Sequence, residues 1–324
     1  TIQNIADHLG LSRNTVSKAL KNSSEVSENT RNLVIKTASK LGYKNATFAT
    51  PVIPASETGS NGTILFLTRT YASDSEFWTT VLRGIESILS NANYHLAISI
   101  MSDSDLKQLN FPQTISDSSI KGIILVEICD KVVCDALSQF NLPIVSVDMP
   151  NVPFEELNGI DVVTMESKKN LKKIINQLIE KGAESFGFVG DLYSPNVSRG
   201  FQERYNALSE CLAEHQLPLN QKNCLLHQTP EDFRNFQTTV NNLQAMISLP
   251  DVFICGNDWT AIQLIYALQF LGFQIPKDIC VVGFDNIPAA SRISPSLTTI
   301  STPQKYLGIA AARQILERIQ HPNC

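Results

Sequence analysis

The sequence predicts an α/β protein in which a small helical head precedes two subdomains built on parallel sheets. From residue 63 onward, short apolar runs alternate with amphipathic runs, which is typical of parallel sheets covered on both faces by helices. The strand-like runs are too many for one half of a doubly wound fold, so they indicate two α/β subdomains. The first 46 residues instead carry three short helical patterns and a net positive charge.

The composition excludes several classes of protein. The 324 residues are 43% hydrophobic and 18% charged, which is typical of globular domains and not of disordered, collagen-like or coiled-coil chains. The seven cysteines form no C-x-x-C pair, which argues against a disulfide framework or a zinc ribbon. No run approaches the ~18 apolar residues of a membrane span, and no apolar leader opens the chain. We therefore expect a cytoplasmic protein with no membrane contact, no metal site and no cofactor.

The net charge of −5 is divided unevenly along the chain. Residues 1–46 hold seven Lys or Arg against three Asp or Glu, a net charge of +4, and the remainder carries −9. A basic head on an acidic body indicates that one end of the protein contacts a polyanion and the other does not.

Helical periodicity divides the head into three short helices. The first covers 2–9, and Gly10 ends it, as glycine does just past a helix C-terminus. Ser12 is a suitable N-cap for a second helix over 13–21, and a third helix covers about 28–41. Two short helices joined by a tight turn indicate a helix-turn-helix. The alternative is an ordinary three-helix cap with a solvated basic face.

The outer face of the second helix carries side chains that are suited to DNA. Arg13 and Lys18 can donate to guanine O6 and N7, and Asn14 can pair with adenine N6 and N7 in the major groove. The start of this helix, with Ser12 and Thr15, suits a phosphate. These residues predict binding to duplex DNA.

The body is expected to alternate strands with helices. The strand-like runs are 63–68, 95–100, 122–128, 143–147, 185–190, 251–255 and 279–284. The helix-like runs are about 77–92, 105–110, 131–139, 167–181, 200–215, 231–248, 258–271 and 303–319. This alternation predicts that the carboxyl ends of the strands lie together at one edge of each sheet.

Polar residues follow many of these strands, where ligands of open parallel sheets bind. They are Thr68, Asp148, Asp191, Asn257, Asp258 and Asp285. Several acceptors, an amide and nearby aromatic rings suit a polyol such as a sugar. The alternative is that these residues form turns or cap helices, which we expect of Asp258.

A longer pattern in the head resembles the DNA-binding domain of the LacI/GalR family of bacterial transcription regulators. The matching segments are Thr1-Ile2-Gln3-Asn4-Ile5-Ala6-Asp7, Gly10-Leu11-Ser12-Arg13-Asn14-Thr15-Val16-Ser17-Lys18-Ala19-Leu20, Val26-Ser27-Glu28-Asn29-Thr30-Arg31 and Leu41-Gly42-Tyr43. The resemblance implies that Arg13, Asn14 and Lys18 read bases. It also implies phosphate contacts at Thr1, Ser12, Ser17, Asn22, Val26 and Thr30.

The body resembles the same family, so the likeness covers essentially the whole chain. The matching blocks are Ser75-Glu76-Phe77-Trp78, Leu82-Arg83-Gly84-Ile85-Glu86, Pro143-Ile144-Val145-Ser146-Val147-Asp148, Glu203-Arg204-Tyr205, Cys255-Gly256-Asn257-Asp258, Val282-Gly283-Phe284-Asp285 and Leu297-Thr298-Thr299-Ile300. The implied fold is that of periplasmic sugar-binding proteins, with three crossovers between the subdomains. The implied domains are a head at 1–46, a hinge or linker at 47–61, one subdomain at 62–160 and 302–324, and the other at 161–301.

The resemblance also implies an effector site. The family's effector-contact positions fall on Phe77, Trp78, Asp148, Arg204, Asn257 and Asp285. Arg204 would donate forked hydrogen bonds to adjacent hydroxyls, and Trp78 would stack on a sugar face, with core packing as its alternative. Arg199 is a rival to Arg204, whose spacing to the following residues fits the family better. Tyr71 and Gln304 are weaker candidates.

The linker departs from the family pattern. The family's Pro, Asn and Leu positions hold Asn45, Ala46 and Val52, and Pro51 disfavours a helical conformation at Thr50. In the family this segment forms a helix on operator DNA and wedges its Leu into the minor groove. We therefore expect a shortened or unfolded hinge and a weaker kink in the DNA.

These observations predict a homodimeric transcriptional regulator, expected to be a repressor. Its affinity for double-stranded operator DNA would respond to a sugar or sugar phosphate bound between the body subdomains. An enzyme is one alternative, but the motifs G-x-G-x-x-G, G-x-x-x-x-G-K-[ST] and G-x-S-x-G are absent, and no catalytic residue is expected. A plain sugar-binding protein is the other, and it leaves the basic head unexplained. Binding to duplex DNA separates the regulator from both.

Overall fold

The structure is a computed structural model, which describes residues 2–20, 26–27, 30–31, 33–34, 37–38, 60–69, 75–128, 130–147, 150, 152–157, 159–192, 198–227 and 235–321. The chain divides into two compact units, Thr1–Gly59 and Ser60–Cys324, here termed the head and the body. No helix within the described ranges is both long and apolar enough to cross a membrane.

Helices α1 (Ile2–Leu9) and α2 (Arg13–Leu20) begin the head at the predicted positions. Between them Gly10 has a φ of 63°, a left-handed conformation that glycine adopts without strain, so α1 ends there. The described residues of the third predicted helix are helical at 30–31, 33–34 and 37–38. The buried apolar side chains of the head are Ile5, Ala6, Val16, Ala19, Val26, Val34 and Ala38.

The strands of the body form two five-stranded sheets, counted over the described residues. The first sheet holds β1 (Gly62–Arg69), β2 (Tyr94–Met101), β3 (Ile120–Val126), β4 (Ile144–Val147) and β5 (Ile160–Val163), and the second holds β6 (Phe186–Asp191), β7 (Leu225–His227), β8 (Val252–Cys255), β9 (Cys280–Asp285) and β10 (Thr298–Ser301). Neighbouring strands are parallel throughout. The orders β2-β1-β3-β4-β5 and β10-β9-β8-β6-β7 are the same topology, counted from the first strand of each sheet.

Helices alternate with these strands, as the periodicity predicts. They are α3 (Glu76–Asn91), α4 (Asp103–Gln108), α5 (Lys131–Ser138), α6 (Lys169–Glu180), α7 (Arg199–Glu214), α8 (Phe236–Ala245), α9 (Asp258–Phe270) and α10 (Gln304–Gln320). Alternate residues of β1 enter different hydrophobic clusters, Ile64 and Phe66 on one face and Leu65 and Leu67 on the other. The first sheet is therefore covered on both faces, and the predicted α/β fold class is confirmed.

The sequence analysis did not predict three short strands. β5, β7 and β10 are edge strands of three or four residues, so each pairs on one side only and carries a weak apolar signal. The predicted subdomain boundary at residue 160 cuts through β5, and the first sheet ends instead at Val163. The chain returns to the first subdomain after β10, because α10 packs against α3, β3 and β4. Most of the predicted linker, 47–59, lies outside the described residues.

Two glycines let α3 and α10 approach each other closely. A Cβ on Gly84 would lie 2.2 Å from the Lys305 carbonyl oxygen, and one on Gly308 would lie 2.0 Å from the Val81 carbonyl oxygen. Both neighbours are backbone atoms, which cannot move aside as a flexible side chain can. Because Phe77 and Trp78 lie in the first turn of α3, this contact also fixes where these predicted effector residues lie.

Replacing Gly308 with alanine should destabilise the body. Helix propensity alone would make Gly308→Ala a gain of about 1 kcal/mol. We expect instead a loss of about 1–3 kcal/mol in the free energy of unfolding, because the added methyl group forces the two helices apart. Urea denaturation measures the difference.

The exposed Ala310 on the same helix supplies the control. Ala310→Gly should cost only the propensity difference of about 1 kcal/mol. A Gly308→Ala protein more stable than the wild type would show that α3 and α10 do not require the glycine contact.

Candidate functional site

The first turn of α2 presents polar side chains on a capped helix start. The Ser12 Oγ accepts from the Thr15 N–H at 3.0 Å and lies 2.8 Å from the Thr15 Oγ1. Val16 packs in the core, whereas Arg13 and Asn14 are exposed. The N-cap predicted at Ser12 is therefore present, and it holds the two predicted base-reading side chains at the surface.

The other predicted DNA contacts are distributed over the same unit. Ser17 and Lys18 on α2 are half-buried. The Ser27 Oγ accepts from the Thr30 N–H at 3.4 Å, so Thr30 lies at a second capped helix start. Thr1 and Asn22 lie outside the described residues.

In the body, two points of the sheets favour a ligand. In the order 2-1-3-4-5, the loops after the first and third strands run to opposite sides of the sheet and leave a crevice at the strand ends. In the first sheet these strands end at Thr68 and Arg69 and at Val126. In the second sheet they end at Asp191 and at Cys255.

Aromatic residues at the start of α3 form the first wall of this crevice. Ser75 caps the helix, because its side chain accepts from the Trp78 N–H. Phe77 and Trp78 are each 7% exposed and meet edge to face, with ring centroids 4.7 Å apart. The Trp78 Nε1–H donates to the Glu127 Oε1 at 2.5 Å. Glu127 directly follows β3, so the indole and the carboxylate meet at the predicted strand ends.

A buried arginine forms the opposite wall. Arg204 on α7 is 3% exposed, and its guanidinium carbon lies 3.8 Å from the centroid of the Phe284 ring. Its Nη1 donates to the Gly256 carbonyl at 2.6 Å, while its buried Nε has no hydrogen-bond partner within the described part of the chain. A buried donor without a partner is costly, so a ligand oxygen within reach of this Nε would stabilise the site.

The end of β9 has an unusual backbone. Asp285 and Asn286 have φ angles of 115° and 55°, in the region that non-glycine residues rarely adopt. The Asp285 carbonyl accepts from the Gln304 Nε2 at 2.5 Å and from the Thr302 Oγ1 at 3.3 Å. Strained backbone of this kind is concentrated at ligand sites. Gln304, a weaker candidate from sequence, thus contacts the main chain of the predicted effector residue.

The cap of α9 differs from the expectation. Asn257 is the N-cap, and its Oδ1 accepts from the Thr260 N–H at 2.9 Å. Asp258, which was expected to cap the helix, is fully buried instead. Its carboxylate accepts from the Ile287 N–H at 2.8 Å and from the Thr299 Oγ1 at 2.5 Å. The expectation was wrong because Asn257 occupies the position just before the helix and so caps it, whereas Asp258 is the first residue inside the helix and is buried.

The buried Asp258 carboxylate has an unusual acidity. Burial removes water from it and raises its pKa from 3.8 to about 6, although its hydrogen bonds to Thr299 and Ile287 oppose that rise. A Cβ on Gly283 would lie 2.2 Å from its Oδ1, so the neighbouring strand leaves space for it only as glycine. Asp258 thereby holds the turn that follows Asp285.

Two contacts join the subdomains beside the crevice. The Glu76 carboxylate on α3 accepts from the Ala289 N–H at 3.2 Å and lies 3.9 Å from the Arg292 guanidinium. On the other side, the Arg199 Nη2 donates to the Val152 carbonyl at 2.5 Å and to the Pro150 carbonyl at 3.2 Å. Arg199 therefore binds main chain across the crevice, while Arg204 lies inside it.

Five of the predicted effector residues lie near strand ends or in the first two turns of helices. These residues are Phe77, Trp78, Arg204, Asn257 and Asp285. Asp148 and Tyr71 lie outside the described residues. Sequence reasoning missed Glu127, whose contact with Trp78 spans 49 positions of the chain. No group of three or more His, Cys, Asp or Glu within the described ranges is arranged to hold a metal ion.

Comparison with known families agrees with this architecture. The model of the bacterial regulatory proteins of the lacI family matches residues 1–45, and that of the periplasmic binding protein-like domain matches residues 175–324. The chain therefore carries a DNA-binding domain of the lacI family and a periplasmic binding protein-like domain. The comparisons support the predicted transcriptional regulator rather than an enzyme or a plain sugar-binding protein, because the relatives that match the whole chain are transcriptional repressors.

Two relatives show the extent of the likeness. The ribose operon repressor of Haemophilus influenzae is 27% identical over 327 residues, which cover 100% of this chain and 93% of the relative. The HTH-type transcriptional repressor PurR of Photobacterium profundum is 26% identical over 328 residues, with the same two coverages. The LacI-family likeness therefore includes both head and body.

A solved structure extends the comparison to the fold. The lac repressor dimer bound to operator and the anti-inducer ONPF superposes with a TM-score of 0.66 at 19% identity, covering 100% of this chain and 93% of that chain. At 19% identity, this superposition shows that the two chains share a fold.

Asp258 should give the body a distinctive dependence of stability on pH. Its pKa is higher in the folded protein than in the unfolded chain, so its stabilising contribution is complete below about pH 4 and is lost as pH rises through about 6. Relative to Asp258→Asn, the wild type should gain about 2–3 kcal/mol in unfolding free energy between pH 7 and pH 4. Urea titrations at several pH values measure this difference.

Asp251 is a matched control on the far side of the second sheet. Burial raises its pKa, but hydrogen bonds from the Glu184 N–H and from Ser185 outweigh burial and hold the pKa below 3.8. The contribution of Asp251 to the free energy of unfolding is lost only as pH falls through that lower pKa. The difference in unfolding free energy between Asp251→Asn and the wild type should therefore stay nearly constant between pH 7 and pH 4. A difference for Asp258→Asn that does not vary with pH would contradict the assignment.

Proposed function

We propose that this LacI-family protein is a repressor that reads operator DNA with α2 and responds to a sugar bound between the body subdomains. The main support for DNA binding is the capped start of α2, where Arg13 and Asn14 are exposed and where residues 1–46 carry a net charge of +4. Arginine and asparagine match the donor and acceptor patterns of guanine and adenine in the major groove. Thr15, Ser17, Lys18 and Thr30 would add further base or phosphate contacts.

The crevice supports a polyol as the effector. It combines the buried edge of an aromatic pair, a guanidinium with an unused Nε donor, and carboxylates that accept from hydroxyls. Sugars need this mixture of flat apolar surface and many polar partners. Ribose in the name of the Haemophilus relative supports the same class of ligand.

We propose that the active form is a dimer in the bacterial cytoplasm, where the operator DNA lies. One helix-turn-helix contacts only a few base pairs, so two-fold dimers on near-palindromic sites give enough specificity. Sedimentation at micromolar concentration tests this directly. A monomer, both free and on DNA, would overturn the dimer.

Removing the exposed side chains of α2 should weaken specific DNA binding. Arg13→Ala and Asn14→Ala should each cost roughly 1–3 kcal/mol on the operator and little on random duplex, because each removes a contact to a base. The operator is first selected from a pool of random duplexes, and affinities follow from fluorescence anisotropy at fixed salt.

Lys121→Ala on the exposed surface of β3 is the control and should leave both affinities unchanged. Equal losses on operator and random duplex would reassign Arg13 and Asn14 to the phosphate backbone. A wild-type protein that selects no duplex at all would favour a plain sugar-binding protein.

Removing the polar walls of the crevice should separate sensing from DNA binding. Arg204→Ala and Asp285→Ala should abolish the effector response, since each leaves a buried partner unpaired at a cost of about 1–3 kcal/mol. Operator affinity without effector should stay near normal. The measurement is a thermal-shift screen of ribose, glucose, fructose and cellobiose, followed by anisotropy with the operator.

The exposed Arg313 on α10 provides the matched control, and Arg313→Ala should respond as the wild type does. If both crevice variants keep their affinity for a sugar that binds the wild type, the effector site lies elsewhere. If only nucleosides shift the melting temperature, the proposal of a sugar effector is wrong, while the proposal of an effector-controlled regulator is retained.

A further inference from the structure

The strand ends around the crevice carry more negative than positive charge. Among the described residues, carboxylates stand at or just after the ends of β2, β3, β6 and β9, at Asp103, Glu127, Asp191 and Asp285. Within the described ranges, the Lys or Arg at the same level of these strands is Arg69, at the end of β1.

The arginines near the crevice are already engaged. Arg69 forms an ion pair with Asp103 at 2.5 Å, so its charge is neutralised on its own side of the first sheet. Arg199 binds the Val152 and Pro150 carbonyls. Arg204 stacks on Phe284, with its Nη1 committed to the Gly256 carbonyl. Phosphate sites in proteins rely on arginine forks, lysines or helix starts that are turned toward the anion. Here Arg69 and Arg199 are held by other partners, and Arg204 offers a ligand its Nε donor but no complete fork.

Glu127 is the carboxylate that the structure orients most directly. Its backbone lies in the left-handed region with a φ of 56°, which turns the chain sharply after β3. The indole N–H of Trp78 donates to its Oε1, so the carboxylate is fixed beside the aromatic wall. An ionised carboxylate has about four lone-pair positions, and hydroxyl groups are the donors a sugar offers.

We propose that Glu127 is part of the effector site and makes it select an uncharged polyol over the phosphorylated form of the same sugar. The inference rests on the proposed sugar-sensing function and names the chemical class of its ligand. The Glu127 carboxylate accepts hydrogen bonds from hydroxyl groups and so favours binding of a polyol. A phosphate dianion in the same crevice is repelled by the like charge of Glu127. Asp191 and Asp285, at the ends of β6 and β9, act in the same direction, whereas the charge of Asp103 is balanced by Arg69.

Matched pairs of sugars test the inference on the full-length protein. The pairs are ribose and ribose 5-phosphate, glucose and glucose 6-phosphate, and fructose and fructose 6-phosphate, each titrated in a thermal-shift assay and then by calorimetry. For the sugar that binds, we expect the phosphate ester to bind at least about tenfold more weakly, because like-charge contacts at binding sites are strongly unfavourable.

Two variants separate the charge of Glu127 from its geometry. Glu127→Gln keeps the shape and removes the charge, so the ratio of ester to sugar affinity should move toward the ester by at least about threefold. Trp78→Phe keeps the charge and removes the indole donor, so both affinities should fall while their ratio stays. Asp161→Asn is the control for loss of a carboxylate elsewhere on the first sheet, because Asp161 accepts from the Gln314 side-chain amide and lies 3.7 Å from the Arg318 guanidinium.

Each outcome decides between the claims. A phosphate ester that binds as tightly as its sugar, or a Glu127→Gln protein with an unchanged ratio, overturns the inference and leaves the sugar-responsive regulator intact. If Glu127→Gln fails to fold, a change of ratio in Trp78→Phe overturns the inference and a constant ratio supports it. If no member of any pair binds, the proposed sugar effector fails and the inference fails with it.

Discussion

Parallel pairing is the constraint that places the proposed small-molecule site of this protein. Because the strands of each sheet run in one direction, their carboxyl ends and the loops that follow share one edge, and the 2-1-3-4-5 order leaves a crevice there. Glu127 and Asp285 meet this crevice although 158 positions separate them. Both sheets repeat the order, so the chain builds two such edges and joins them through Glu76 and Arg199.

The buried Asp258 carboxylate holds the carboxyl-terminal edge of the second sheet in place. Hydrogen bonds from the Ile287 N–H and the Thr299 hydroxyl offset its loss of hydration, and the same bonds fix the turn after Asp285. The same turn leads to Ala289, whose N–H reaches Glu76 in the first subdomain. A single charge thus connects the second sheet, the strained effector residue and the contact between subdomains.

The sequence predicted the elements with strong periodicity and the residues with local signals. Central strands such as β3 and β9 are apolar runs, whereas the edge strand β5 is short, half-buried and paired on one side, so its pattern is too weak to identify. The cap at Ser12 followed from local rules, but adjacent Asn257 and Asp258 offered two possible caps, and only the packing over Gly283 separates them. Glu127 had no local signal, since its partner Trp78 is brought to it by the sheet.

Control of operator affinity requires an effector that binds two conformations of the body unequally. Of the described contacts between the subdomains, the Glu76–Arg292 pair is exposed enough to contribute at most about 1 kcal/mol. A polyol that joins the Trp78 wall to the Arg204 wall forms hydrogen bonds only when both walls are in reach. Two or three such bonds, at roughly 0.5–1.5 kcal/mol each, shift the equilibrium by about fivefold or more, since tenfold is about 1.4 kcal/mol.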